Sequence, residues 1–574
     1  MLFEKLADYF QRIEATGERL VLYKLIAELL GKASANELPK LAYLCEARLA
    51  PPFVGLEMGM GERLITESVA LATQTSTRQI NRAYRQLGDL GIVAEKLLPQ
   101  RISRLTISQA HENLLKIAKT SGPGSIDQKI RLLGELIKRA SPRGARYLVR
   151  FAVGRLRLGI GAPTIIEAVA RTNPDRKQTR ALIERAYNSC SDLGLVLRTL
   201  RQKGPQGLTR FKLHVGNPVR MMMAERLPTA EAIVARIGRC AAEAKLDGFR
   251  CQVHLSSRSV EVFSRNLERT TYMFPDLVAA VRKQIKTSNA IIEGEAVAIN
   301  ETTGEFYPFQ ITVKRKRKYD VEEMAREFPL ALVTFDLLYA HGKNYSAETY
   351  RARHAELRRV IRSNGRIRLV EQLVTGSAQE LQRFFDQQVE RGLEGIIAKR
   401  LDAPYAAGAR NFDWIKLKRT YKGELSDTVD VVIVGYLRGR GMRAALKIGA
   451  LLGVVYDARK DSFQTVAKIG SGLSEENWIK LRRLLDKVRV SDKPARVDSR
   501  IVPDIWVEPK YVVTVLADEI TRSPVHTCAQ DKEGVGLALR FPRVVGFIRD
   551  DKSPEDATTV KEIVEMCSMQ RKSK

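Results

Sequence analysis

The chain has 574 residues, 44% apolar and 28% charged, with a formal net charge of +30. That length predicts three or four domains with ordinary cores. So large a positive charge, spread over the whole chain, points to a polyanionic partner, nucleic acid before membrane. The six cysteines (Cys45, Cys190, Cys240, Cys251, Cys528, Cys567) are scattered without a C-x-x-C pair, and the histidines do not cluster with them. That argues against a zinc site and a disulfide scaffold and fits a reducing, cytoplasmic setting. No stretch approaches about 18 uninterrupted apolar residues, so no membrane span is expected. The first residues, with Glu4 and Asp8 inside an amphipathic pattern, read as a helix rather than a targeting signal.

Residues 1–213 read as helices. Leu2, Phe3, Leu6, Tyr9, Phe10 and Ile13 recur at helical spacing, and the windows Leu20–Leu30, Thr77–Leu87 and Lys129–Ile137 behave likewise. There is an internal echo. Met58-Gly59-Met60-Gly61 precedes Glu67-Ser68-Val69-Ala70, and Leu158-Gly159-Ile160-Gly161 precedes Glu167-Ala168-Val169-Ala170 at the same offset. Two related helical halves are expected, each Gly-x-Gly opening a helix, with Pro163 suited to the first turn of the second. Such turns expose N–H groups that suit phosphate; they serve equally as packing turns between helices. Lys203-Gly204-Pro205-Gln206-Gly207 reads as a connecting loop.

From about Leu213 the pattern is mixed α/β. Strands are expected at Phe249–Leu255, Val260–Phe263, Ala290–Glu293, Leu330–Leu338 and Gly395–Ala398. Near Ser426 it changes again. Val429–Tyr436, Ala450–Asp457, Phe463–Ile469 and Trp506–Val515 read as strands, with one helical window at Glu476–Lys487, a rhythm that fits a small β-barrel of the OB type. A basic tail, Gln570–Lys574, reads as disordered. The expected fold class is multidomain: an all-α domain over 1–213, an α/β domain over 214–424 and an OB-type β-barrel domain over 425–574.

The chemistry centres on Lys245-Leu246-Asp247-Gly248-Phe249-Arg250. A helical-looking run precedes it, and alternating Cys251, Val253 and Leu255 follow. Gly248 permits a tight turn, which would put Lys245 at a strand edge. A lysine nucleophile must lose its proton, and burial and nearby cations lower its pKa. Arg250, Arg265, Lys399, Lys416 and Lys418 could supply those cations if they converge. Alone, Lys-x-Asp-Gly-x-Arg also fits a β-turn with a solvated lysine. Its company changes that. Phe263-Ser264-Arg265-Asn266, Glu293-Gly294-Glu295, Thr334-Phe335-Asp336, Glu394-Gly395-Ile396-Ile397-Ala398-Lys399 and Trp414-Ile415-Lys416-Leu417-Lys418 follow in order. Glu295, read as the end of an apolar strand, and Glu394, opening another, are carboxylates for a ribose hydroxyl or Mg²⁺, or else surface ion pairs. Phe335 would stack on a base or fill the core. Lys416 and Lys418 share a strand face, fit for phosphate or for solvent, and Arg410 lies on the loop entering that strand. The run Lys314–Lys318 reads as a solvated loop or a nucleic-acid backbone contact.

This series resembles the nucleotidyltransferases that form a covalent lysine–nucleotide intermediate: ATP-dependent DNA ligases, RNA ligases and capping enzymes. The ending sharpens it. Trp506-Val507-Glu508-Pro509, Val515-Leu516-Ala517-Asp518-Glu519-Ile520-Thr521-Arg522-Ser523-Pro524, Arg540-Phe541-Pro542-Arg543 and Arg549-Asp550-Asp551-Lys552-Ser553-Pro554 resemble the archaeal and eukaryotic replicative type of ATP-dependent DNA ligase, a likeness over nearly the whole chain. The alternative, an RNA ligase or capping-type enzyme, would lack this ending and the long helical region. A non-catalytic binder on the same scaffold would need a broken motif, and none is found.

The resemblance implies a helical DNA-binding domain, an adenylation domain and an OB domain around a nicked duplex, in replication, repair and recombination. It implies that Lys245 is adenylated by ATP, that AMP moves to the 5′-phosphate, and that the 3′-hydroxyl then displaces AMP. Glu243 would contact adenine through its backbone or side chain, Arg250 and Arg265 would hold ribose and phosphate, and Phe335 the base. Arg410 and Lys416 would hold phosphates, with Glu295 and Glu394 on Mg²⁺. Asp247 would assist the lysine or the nick step, and Arg540 and Lys552 would reach over during the first step. A monomer is implied, with a sliding clamp as a further partner. Gln100–Leu105 lacks the paired aromatics of a clamp peptide, and Gln379–Phe385 reads as a core helix. One departure is Glu293 where many relatives carry Asp.

Overall fold

The computed structural model describes residues 1–301, 304–307, 309–317, 320–362, 365–418, 428–438 and 446–572, and their side chains save those of 85–86, 309–310, 569 and 571–572. Over the described residues the chain forms two compact units. One gathers Met1–Glu184, Asp192–Arg210 and Glu424–Gln570; the other holds Arg185–Ser191 and Phe211–Gly423. The boundary expected at 424/425 lies outside the described residues.

The first unit begins with helices wherever the apolar period is helical. Phe3–Glu14 buries Phe3, Leu6, Tyr9, Phe10 and Ile13 on one face. Helices Arg19–Gly31, Thr77–Leu87 and Ser125–Arg139 fill the other three windows. Ser76 and Gln79 close a capping box that starts the third, each satisfying an N–H left free by the helix start. The glycine echo has matching geometry. Gly59 and Gly159 both take left-handed backbone (φ +58 and +63), and Gly61 and Gly161 are the N-caps of Glu62–Thr73 and Ala162–Ala170. The expected loop at 203–207 is instead the end of helix Leu193–Gly207, kinked at Gly204 (φ +64). Pro205 accounts for this: it cannot sit inside a straight helix but starts a new turn readily.

The rest of that unit is the OB-type β-barrel region. Val429–Leu437, Ala450–Asp457, Ser462–Ile469 and Ile505–Leu516 pair in one seven-stranded sheet, Glu519–Ser523 and Gly536–Arg540 in a two-stranded ribbon. Helix Glu475–Lys487 buries Trp478, Leu481 and Leu485 against the sheet core. The last helix, Val560–Lys572, takes up most of the tail read as disordered; 573–574 lie outside the described residues. Helical and barrel regions meet at Asp461, 1% exposed. It accepts hydrogen bonds from Tyr23 Oη (3.2 Å) and Thr164 Oγ1 (3.0 Å) on one side and from Tyr456 Oη (3.0 Å) and Arg496 Nη2 (2.6 Å) on the other. Arg155 and Arg157 donate to the carbonyls of Lys487 and Arg489 at 2.7 and 2.6 Å.

The second unit is built on two sheets. In chain order the strands are β1 (Met223–Arg226), β2 (Cys240–Lys245), β3 (Phe249–Leu255), β4 (Val260–Ser264), β5 (Ala290–Ala298) and β6 (Leu330–Ala340). Then follow β7 (Lys343–Asn344), β8 (Ile367–Leu369), β9 (Gln372–Thr375), β10 (Gly395–Arg400) and β11 (Arg410–Lys418). One sheet runs β1-β11-β10-β2-β9; the other runs β4-β3-β5-β6-β7, with β8 on β6. The alanine-rich run before Lys245 is thus a strand, not a helix. Its small side chains (Ala241 and Ala242, fully buried) fit between neighbouring strands, and packing overrides helix propensity. The run at 314–318 also differs from a solvated loop. Arg315 is buried and donates to both carboxylate oxygens of Asp276 (3.0 and 2.8 Å), while Lys314, Lys316 and Arg317 are exposed; Lys318 lies outside the described residues. Phe384 is buried on helix Ala378–Glu390, as its period implied.

Candidate active site

Lys245 is the last residue of β2. Strand alternation puts Ala241, Glu243 and Lys245 on one face. The register sets Gly395 of β10 opposite Lys245 and Lys418 of β11 beyond it; Ile397 lies opposite Glu243, with Lys416 beyond. Gly395 makes this row possible. Its φ is +137, and a Cβ there would lie 2.1 Å from the Leu417 carbonyl. Gly248 acts through close approach rather than an unusual turn: a Cβ would lie 2.5 Å from the Ala296 carbonyl of β5.

The lysine Nζ is ion-paired with Glu394, which also meets Lys418 Nζ at 3.3 Å. Burial works to lower the Lys245 pKa, but Glu394, Glu295 and Asp247 outweigh it, and the group stands above its ordinary value. Burial works to raise Glu394, and the two lysines hold it well below the carboxylate range. The expectation of a lysine depressed by converging cations is therefore corrected. Lys418 shares its carboxylate, whereas Arg250 and Lys399 spend their charge on buried partners of their own: Glu293 for Arg250, at 2.8 Å, and Glu243 for Lys399, at 2.7 Å.

The second sheet supplies the other side chains. Arg250 on β3 lies opposite Glu295 on β5 and donates to Glu293 and to the Met222 carbonyl (2.6 Å). Glu295 stands mid-strand, not at a strand end. Burial pushes its pKa up to about 7 against the pull of Lys245 and Arg250. In the β5–β6 register Asp336 answers Glu293 and Thr334 answers Gly294, so Phe335 between them is the extra residue of a β-bulge. Half-buried, it meets Trp414 edge-to-face (6.0 Å, 83°) with the Arg250 guanidinium 5.5 Å from its ring. Arg265, just after β4, and Arg410, the first residue of β11 rather than a loop residue, both approach Met223 Sδ, at 3.7 and 3.9 Å. Arg540 and Lys552 belong to the first unit, where they pair with Glu519 (2.9 Å) and Asp430.

The sequence reading names Glu243, Lys399 and Glu293 without their partners, and Tyr350 and Arg353 escape it. Glu243 is 2% exposed, its carboxylate held by Lys399 Nζ and by the Tyr350 hydroxyl. Lys399 also donates to the Phe335 carbonyl (2.9 Å) and lies 4.2 Å from the Trp414 ring centroid. Arg353 clamps Asp336 through two hydrogen bonds (2.7 and 3.0 Å). Nothing local marks Tyr350 or Arg353, whose partners lie on distant strands.

Glu394 is ion-paired with Lys245, and the charge of Glu295 also bears on that amine. Among the described residues no group of three His, Cys, Asp or Glu side chains is arranged to hold a metal. This donor set fits Mg²⁺, which binds through one or two carboxylates and takes water and phosphate oxygens for the rest.

An all-α region, a two-sheet α/β unit with a lysine at a strand end and an OB-type barrel together define a multidomain nucleotidyltransferase. Family comparison narrows this. Residues 2–170 match the model described as DNA ligase N terminus, 221–418 that of the ATP dependent DNA ligase domain, and 444–552 that of the ATP dependent DNA ligase C terminal region. A probable DNA ligase of Dictyoglomus thermophilum is 50% identical over 574 residues, covering 100% of this chain and 99% of its own. A DNA ligase of Saccharolobus solfataricus is 40% identical over 593 residues, covering 100% and 98%. The chain belongs to the family of ATP-dependent DNA ligases. Among the described residues no helix is long and apolar enough to cross a membrane.

Proposed function

We propose that the chain seals nicks in duplex DNA in three steps, the first two of which pass AMP through Lys245. The observation that carries this is the row Lys245–Gly395–Lys418 with Glu394 on its amines, in a unit of this family. Lys245 Nζ, once neutral, attacks the α-phosphorus of ATP. The P–N bond forms as the bond to the β-phosphate oxygen breaks and pyrophosphate leaves. The 5′-phosphate oxygen at the nick then takes the AMP and frees the lysine. Last, the 3′-hydroxyl loses its proton and attacks the phosphorus of the nick's own 5′-phosphate, so the phosphodiester bond forms as the bond to AMP breaks. Phosphoryl transfer of this kind needs in-line positioning and charge neutralisation. Lys416, Lys418, Arg410 and Arg265 provide cations for the phosphates, Phe335 a face for the base, and Glu243 the base-side anchor, with Arg250 on the ribose side. Glu295 and Glu394 would hold Mg²⁺, which neutralises phosphate charge when bound.

The same reading assigns 1–213 to DNA binding, 214–424 to adenylation and 425–574 to the OB domain, in a monomer acting on nicked DNA with a sliding clamp as auxiliary partner. The change from helix to strand between Arg210 and Met223 supports the first division. The test is incubation with α-labelled ATP and Mg²⁺ without DNA, followed by denaturing electrophoresis. A labelled band is expected that nicked DNA discharges with sealing and that Lys245→Ala lacks. Label from GTP alone would favour the capping-type alternative, and none from any nucleotide would remove the enzyme claim.

A further inference from the structure

Helix Tyr350–Val360 reaches both sheets at the site through two buried side chains one turn apart. Tyr350, its first residue, is 1% exposed and set by the Thr349 N-cap, whose Oγ1 accepts from Ala352 N at 3.2 Å. Its hydroxyl donates to Glu243 on β2 and accepts from Gln372 Nε2 on β9 at 2.6 Å; Glu243 and Gln372 are direct cross-strand partners. Arg353 clamps Asp336, the residue after Phe335. The helix therefore grips the lysine strand two residues before Lys245 and the β6 bulge one residue after Phe335. Lys399 joins the same two points by donating to Glu243 and to the Phe335 carbonyl.

We propose that Tyr350, with Gln372 behind it, is a positioning residue for purine selection. It fixes the Glu243 carboxylate as a hydrogen-bond acceptor beside the base, so that a 6-amino purine is taken and a 6-oxo purine refused. The inference rests on the nucleotide reading of Lys245 and Glu243. An ionised carboxylate only accepts hydrogen bonds and has more acceptor sites than Tyr350 and Lys399 fill. An exocyclic amine can donate to it, whereas a carbonyl oxygen opposes it. A carboxylate free to rotate would lose that discrimination.

The test is Tyr350→Phe in the full chain, which keeps the ring and removes the hydroxyl. Lysine nucleotidylation is followed with labelled ATP and GTP, and sealing with a pre-adenylated nick, which needs no ATP. The apparent KM for ATP should rise about tenfold, the size of one well-formed hydrogen bond. The maximal rate should hold, the preference for ATP over GTP should fall by about the same factor, and sealing of the pre-adenylated nick, whose AMP is already tethered to the DNA, should change less than the ATP step. An unchanged KM, or an equal loss in every step, overturns the assignment. Should Tyr350→Phe not fold, Gln372→Leu decides it: a smaller shift of the same KM supports the proposal and no shift overturns it. Failure of the parent itself to take label would instead strike the nucleotide reading.

Discussion

At Lys245 two opposing effects meet. Burial disfavours the ammonium, and the carboxylates of Glu394, Glu295 and Asp247 favour it; the carboxylates win. A base whose pKa stands above its ordinary value is protonated throughout the neutral range, so the free enzyme holds its nucleophile in the unreactive form. Removing the strongest anion should reverse this. In protein free of metal and nucleotide, the pH dependence of Lys245 acylation by an amine-reactive reagent, read by peptide mass spectrometry, should shift to lower pH in Glu394→Gln. An unshifted profile would mean that Glu394 does not govern the charge. The sequence named both residues. It could not show that they are partners, because their ion pair depends on β10 lying beside β2.

Among the elements, β10 and β2 set the geometry most tightly. Gly395 faces Lys245 in register with left-side backbone (φ +137) that an L side chain rarely adopts, and its missing Cβ leaves room for the Leu417 carbonyl. Gly395→Ala should therefore cost roughly 1–3 kcal/mol in backbone strain alone, with further displacement of β11 and its two lysines. Thermal unfolding should show the loss, and the labelled lysine band should weaken more than stability accounts for. Most strand positions were legible: Phe249–Leu255 alternates apolar with polar residues, and Ala450–Asp457 is a short apolar run. The strand carrying Lys245 was not, because alanine favours helix when nothing else intervenes. The bulge at Phe335 was likewise hidden, since an unpaired residue is defined by its partner strand.

For the molecule as a whole, charge and burial act on different scales. The net +30 is a long-range field suited to a polyanion. Within the first unit the ties are short-range and buried, with Asp461 drawing partners from both helical and barrel regions. Arg496 beside it is 6% exposed and also holds Glu555 at 2.8 Å. Asp461→Ala would leave that arginine short of an anion in a buried setting. Breaking such a pair typically costs about 3–5 kcal/mol, so the variant should unfold at markedly lower denaturant and be cut sooner by protease between the two regions. A parental unfolding curve would show that Asp461 does not join them.

What the sequence determined by itself was whatever a short stretch can carry. The Thr77–Leu87 helix follows from its period and its Ser76–Gln79 cap, the barrel strands from short apolar runs between turns, and the family from the order of its motifs. What only the tertiary structure decided was partnership and charge state: Lys245 with Glu394, Glu243 with Lys399 and Tyr350, Arg250 with Glu293. The reason is physical. Period and capping are properties of neighbours along the chain. A pKa or a buried hydrogen bond depends on which distant strand is packed alongside, and no local pattern encodes that.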